Sequence, residues 1–196
     1  MRIVGGEDRG HRLRAPRGRR TRPTAERVRE ALFDILGPIP RETRVLDLYA
    51  GTGAIGLEAL SRGAGRAVFV EKDRQALRVL RQNLAALAAS RAAARVVAGD
   101  VVAVLGSLAG EEAPFDLVFL DPPYAAAVIP RTLAGLVAGG LLAPRARVVV
   151  QHFAKVGVAV PAGLREARAP RRFGETTLTF LGADEYTPPG PRPESG

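Results

Sequence analysis

Four acids, Asp47, Glu71, Asp100 and Asp121, each follow or close a short apolar run rich in strand formers. The last of them offers the most chemistry. Residues 115–124 read Phe-Asp-Leu-Val-Phe-Leu-Asp-Pro-Pro-Tyr, a run too short for a helix that stops at an acid and two prolines. Successive prolines have no N–H and a fixed φ, so the backbone beyond Asp121 stays extended and its carbonyls stay out of helix bonding. A carboxylate beside a free Pro122 carbonyl can accept both hydrogens of a flat exocyclic amino group, while Tyr124 stacks on the attached ring. Such a site reads an amino group on a nucleobase. The plain alternative is a strand-end turn with a helix start behind it.

The first run delivers Asp47-Leu-Tyr-Ala-Gly51-Thr-Gly53-Ala-Ile-Gly56. Its glycines let the backbone turn tightly and let a ligand approach the next helix's N-terminus. On spacing alone, Gly51, Gly53 and Gly56 also announce a dinucleotide fold. Asp47 argues against that, because an anion four residues before Gly51 would face a pyrophosphate unfavourably. S-adenosylmethionine, with a sulfonium, a free ammonium and no phosphate, suits the carboxylate better. Glu71, 20 residues after Gly51, is placed to accept from two ribose hydroxyls; otherwise it is a solvated strand-end acid. Asp100 either accepts from the adenine amino group or caps a helix at Val101. The cofactor set is thus Asp47, Tyr49, Gly51, Gly53, Glu71 and Asp100, with Asp121 at its border.

These acids need a scaffold that brings strand ends together. Strand patterns at 44–48, 67–70, 95–98, 115–120 and 148–152 alternate with helical patterns at 54–62, 74–87, 101–108 and 128–138. This βαβ series implies a parallel sheet covered on both faces, with ligands at the carboxyl ends of its strands. Residues 164–169 and 176–181, around Gly174, read as a closing antiparallel pair, which makes a mostly parallel seven-stranded α/β sheet. Ahead of it, residues 2–16 read as a small basic hairpin around a Gly-rich turn. A basic loop leads to a helix with Thr24 as N-cap, which ends at Leu36 before Gly37-Pro38 and has Val28, Ala31, Leu32, Ile35 and Leu36 on one face. Three parts result: an arm at 1–40, a catalytic domain at 41–182, and a proline-rich tail at 183–196 read as disordered.

The composition narrows the partners. A chain of 196 residues with 46% hydrophobic content can bury one good core. With no cysteine, and with His11 and His152 far apart, no metal site is expected. No apolar run approaches the ~18 residues of a membrane span, which points to a soluble, cytoplasmic protein, and no spare apolar face argues against a monomer. Net charge is +9, and eight arginines against Glu7 and Asp8 fall within the first 22 residues. Clustered arginine usually meets phosphate, so Arg12, Arg19, Arg20, Arg22 and Arg29 form the expected RNA-binding set. For the basic hairpin the alternative is a charged lid with no partner; Arg171 and Arg172 are further candidates, with a solvated turn as theirs.

With these motifs in order, residues 2–181 resemble the RsmD family, bacterial methyltransferases that act on a guanine N2 of 16S ribosomal RNA. The stretch Arg22-Pro-Thr-Ala-Glu-Arg-Val-Arg-Glu-Ala-Leu-Phe-Asp-Ile-Leu36 looks like that family's signature, and Phe173-Gly-Glu-Thr-Thr177 like its closing hairpin. The resemblance implies a Rossmann-like class I S-adenosylmethionine-dependent methyltransferase fold and guanine 966 as target, in a small-subunit assembly intermediate. Asp121, Pro122 and Tyr124 would then be the catalytic group. Gln151 departs from the family, which often has Glu there. Two rivals are adenine-N6 methylation of DNA, which lacks a target-reading segment here, and a noncatalytic assembly factor that keeps the cofactor fold.

Overall fold

A computed structural model describes residues 1–15, 23–87, 92–112, 114–123 and 125–184. Arg19, Arg20, Arg22, Tyr124 and all of the tail beyond Asp184 lie outside the described residues. The strands are β1 (Arg44–Leu48), β2 (Arg66–Glu71), β3 (Ala94–Ala98), β4 (Phe115–Leu120), β5 (Leu142–Phe153), β6 (Leu164–Phe173) and β7 (Thr176–Ala183). The helices are α1 (Pro23–Leu36), α2 (Ala54–Ser61), α3 (Arg74–Ala86), α4 (Val101–Glu111) and α5 (Ala125–Ala138).

One seven-stranded sheet runs in the order β3-β2-β1-β4-β5-β7-β6. The first five strands are parallel; β7 pairs antiparallel with β5 and with β6. The order reverses between β1 and β4, the switch point at which open α/β sheets bind ligands. Strands buried on both faces read as unbroken apolar runs, and β4 does so because Leu117 to Leu120 are all buried. On one face α1, α2 and α3 supply Leu32, Phe33, Leu57, Leu60, Leu80 and Leu84 to a core that includes Val45, Phe119 and Val149. On the other, α4 and α5 bring Val101, Leu105, Ile129 and Leu133 against Leu46, Val118 and Val148.

The hairpin of residues 1–13 shares the first of these cores through Ile3 and Leu13. Its ladder is short: Arg2 and Arg12 form one bridge, and three backbone bonds cross it, from Ile3 N–H to His11 O at 3.0 Å, Gly10 N–H to Ile3 O at 2.9 Å and Leu13 N–H to Met1 O at 2.9 Å. Buried polar side chains anchor it to the helices. Glu58 of α2 accepts from Val4 N–H at 2.9 Å and Gly5 N–H at 2.7 Å, and Asn83 of α3 accepts from Arg14 N–H at 2.8 Å. Helix α1 runs alongside α2: Arg29 meets Glu58, and one turn further along each segment the Arg62 guanidinium stacks on Phe33 at 4.8 Å. Leu36 O accepts from Arg147 near the amino edge of the sheet, so the first turn of α1 points to the carboxyl edge.

Several boundaries differ from the sequence reading. α1 starts at Pro23, which puts Thr24 inside the helix and not at its cap; proline suits a first helical position, whose N–H has no partner anyway. β5 begins at Leu142, six residues earlier than its apolar run suggests, because an irregularity with Arg145 at φ 64° interrupts its pairing with β4. α5 starts at Ala125 and accommodates Pro130. β7 extends to Ala183, which is 6% exposed, so the sheet takes in a residue that composition assigned to the tail.

Candidate active site

The carboxyl edge of the sheet gathers the four acids, though each is held differently. Asp47 ends under the glycine loop, 4% exposed, with Oδ2 accepting from Gly56 N–H at 2.9 Å. Loss of water pushes its carboxyl up to about 8 against the pull of the Gly56 bond, and Asp121 and Glu71 add repulsion. Asp47 therefore organises the loop first and is mostly neutral at pH 7 until a cation approaches.

The loop needs its glycines. Gly53 caps α2 at φ 77°, and a Cβ there would lie 2.2 Å from Leu80 Cδ1. A Cβ on Gly56 would lie 2.3 Å from Phe69 Cε1. Tyr49, also at positive φ, turns its hydroxyl to Thr132 Oγ1 at 2.7 Å and so ties the loop to α5. Burial pushes the Tyr49 hydroxyl up, with the Thr132 bond opposing.

Glu71, at the end of β2, accepts three backbone N–H bonds: Gly51 at 2.8 Å on Oε2, and Lys72 at 2.7 Å and Asp73 at 2.8 Å on Oε1. It closes the same loop from the other side. Asp100 takes the capping role: Oδ1 accepts from Val102 N–H at 3.1 Å, and Oδ2 pairs with Lys72 Nζ at 3.0 Å. That lysine bond, foremost, holds the Asp100 carboxyl below its usual range.

Asp121 follows β4 directly across the switch point from Tyr49, with Pro122 buried behind it. By accessible surface Asp121 is exposed on the crevice. Loss of water pushes its carboxyl up to about 6, and a hydrogen bond from the Gln151 side chain draws it back. Water in the open crevice moderates this rise; a base seated on Asp121 would displace that water and strengthen it.

The arginine set separates. Arg12 is exposed on the hairpin. Arg29 is not available to phosphate: it is 3% exposed, and its guanidinium pairs with Glu58 at 3.3 Å and donates to Arg2 O. In the sequence it looks no different from the basic residues around it.

Two residues enter the site from outside the expected set. Gln151, noted in the sequence only as a departure from the family, reaches Asp121 from β5. Asn83, 1% exposed, donates to Arg14 O at 3.2 Å and to Thr52 O at 3.0 Å, so one amide joins the arm to the glycine loop.

The family model described as Conserved hypothetical protein 95 matches residues 1–182. Ribosomal RNA small subunit methyltransferase D of Escherichia coli K12 is 40% identical over 163 residues, which cover 83% of this chain and 80% of that protein. The chain belongs to this family. Another member, ribosomal RNA small subunit methyltransferase D of Haemophilus influenzae, is 34% identical over 77% of this chain and 78% of its own length. Among solved structures, the putative methyltransferase yhhF from Escherichia coli superposes with a TM-score of 0.82 at 34% identity, covering 95% of this chain and 99% of that one. A hypothetical protein of Thermus thermophilus gives 0.74 at 38% identity, with 92% and 98% covered. The family match thus runs from the hairpin through the closing strand pair, and the arm and the crevice fall within it together.

Proposed function

We propose that this chain methylates the N2 amino group of a guanine in 16S ribosomal RNA, position 966 as in the resemblance noted above, with S-adenosylmethionine as donor. The substrate is the small subunit or its assembly intermediate in the cytoplasm, and the enzyme works as a monomer. The observation that carries this reading is Asp121-Pro122 at the end of β4, one strand from the glycine loop.

The donor set supports the cofactor. Asp47, Glu71, Asp100 and Asp121 edge the crevice, and Lys72 is paired with Asp100, so a pyrophosphate would meet carboxyl groups while a sulfonium or ammonium would be attracted. Asp47, Tyr49, Gly51, Gly53, Glu71 and Asp100 would hold the nucleoside and its amino acid end. When bound, S-adenosylmethionine supplies an electrophilic methyl group. Asp121 and the Pro122 carbonyl accept the two hydrogens of guanine N2, whose lone pair is otherwise delocalised into the ring, and so favour its pyramidal, nucleophilic form. The ionised Asp121 does this best. Tyr124 stacks on the splayed base, and Arg12, Arg19, Arg20 and Arg22 hold phosphates that set register more than sequence.

The test is transfer of labelled methyl groups to small subunits from an unmethylated strain, with protein-free rRNA and adenine-rich DNA alongside. Label on guanine N2 that is lost in Asp121→Ala supports the reading. Cofactor binding with no label anywhere, or label on DNA adenine, overturns it.

A further inference from the structure

Phe153 is the one exposed large hydrophobic side chain among the described residues, at 59%. It sits two residues beyond Gln151 on β5. Because Leu120 pairs with Val150, Asp121 is level with Gln151. Side chains alternate along a strand, so Asp121, Gln151 and Phe153 share one face, with Phe153 about 6–7 Å further out of the crevice.

The backbone that carries the ring is held. Phe153 O accepts from Val156 N–H at 2.9 Å and lies 2.9 Å from His152 Nδ1, and Ala154 N–H donates to Glu175 O at 2.8 Å. His152 Nε2 is fixed in turn to Thr179 Oγ1 at 2.8 Å. The corner between β5 and the β6–β7 turn is thus pinned, and the aromatic cannot fold back into the core.

A cation lies on the same face, two strands over and two residues nearer the row of Asp121. Gln151 pairs with Leu178 and Leu178 with Arg171, so Asp121, Gln151, Leu178 and Arg171 form one row across the sheet, about 14 Å from end to end at the usual strand spacing. Arg171 is exposed and has no ion pair among the described residues. An open aromatic and an arginine with no ion pair among the described residues, about 12 Å apart at the usual strand spacing and on the same face as Asp121, are the combination that grips successive nucleotides of a single strand.

We propose that Phe153 is a stacking platform for a nucleobase flanking the methylated guanine, and that Arg171 holds the phosphate backbone beside it. This rests on the RNA reading given above. It adds a second contact surface on the face of the sheet that the arm covers.

The test compares wild type, Phe153→Ala, Phe153→Tyr and Arg171→Ala for methyl transfer to unmethylated small subunits, with cofactor affinity measured as a folding control. Phe153→Ala raises KM for the subunit by about 5-fold to 140-fold, the range for loss of one aromatic–base stack, with kcat and cofactor affinity kept. Phe153→Tyr restores KM, and Arg171→Ala raises it less. Because the chain has no tryptophan, Phe153→Trp adds a single fluorophore, and its quenching by an RNA hairpin reports the stack directly. An active wild type with an unchanged KM in Phe153→Ala overturns the platform. A wild type that labels no subunits overturns the RNA reading itself.

Discussion

Arg29 of α1 and Glu58 of α2 form an ion pair at 3.3 Å with both side chains withdrawn from solvent. Glu58 also accepts from Arg62 Nε at 2.8 Å and from two backbone N–H groups of the hairpin. One carboxylate therefore ties three segments together, and the arm is an extension of the core.

Removing that carboxylate strands buried donors. Glu58→Ala is expected to lower stability by about 3–5 kcal/mol, as for other broken buried pairs. Chemical denaturation measures this; a loss below about 1 kcal/mol, the range of a single ordinary hydrogen bond, would show that the hairpin does not depend on Glu58. Arg29→Ala should weaken RNA binding only through stability, whereas Arg12→Ala weakens it with the fold intact.

Asp121 gives the activity a pH signature. Its carboxyl lies near 6, so the accepting anion is lost as pH falls through that value. The kcat/KM profile should decline on its acid side with a midpoint near 6, and Asp121→Asn should be nearly inactive at every pH. Gln151→Glu sets a second carboxyl beside the first and moves the midpoint upward. A midpoint of about 4 in wild type, the ordinary carboxylate value, would show that crevice water solvates Asp121 fully.

Asp47 gives stability a different slope. Its folded value of about 8 lies above the ordinary value of 3.8, so the folded chain holds a proton that the unfolded chain releases. Its contribution is present in full below about 4 and is lost as pH rises towards about 8. Asp47→Asn should flatten the unfolding free energy between about pH 4 and 8 relative to wild type without cofactor. Parallel curves for the two proteins would contradict this.

The glycine loop predicts a graded series. At Gly51 an added Cβ meets nothing closer than Tyr49 O at 3.9 Å, so Gly51→Ala carries only the strain of φ 56°, about 1 kcal/mol. Gly53→Ala adds a 2.2 Å clash with Leu80 and should lose more stability and more cofactor affinity. Equal losses in calorimetry would argue that strain alone matters.

Asn83→Leu leaves the Arg14 N–H and the Arg14 and Thr52 carbonyls without their partner, at about 1–3 kcal/mol. Because one amide spans arm and loop, KM should rise for both RNA and cofactor. A rise in one alone would show that the two are independent.

The strand ends were legible because each acid closes an apolar run, and that pattern survives without tertiary context. Phe115 to Leu120 is the clearest instance. Arg29 was not legible, since its partner lies 29 residues away on another helix and a helical face does not reveal what packs on it. The early part of β5 was hidden by the irregularity at Arg145, and Phe153 lies just past the apolar pattern of 148–152, where the sequence does not tell whether its ring is covered or open. The roles of Asp47 and Glu71 within the loop also needed coordinates, because position marks a strand end without saying which way a carboxylate turns.

The anchors of the hairpin have a consequence for synthesis. Val4 and Gly5 bond to Glu58, and Arg14 to Asn83, at separations of 54, 53 and 69 residues. During translation the hairpin leaves the ribosome long before α2 and α3 exist to receive it. The segment read here as gripping ribosomal RNA can take up its place only after more than a third of the chain has been made, so an incomplete nascent chain presents its arginines without the geometry to use them.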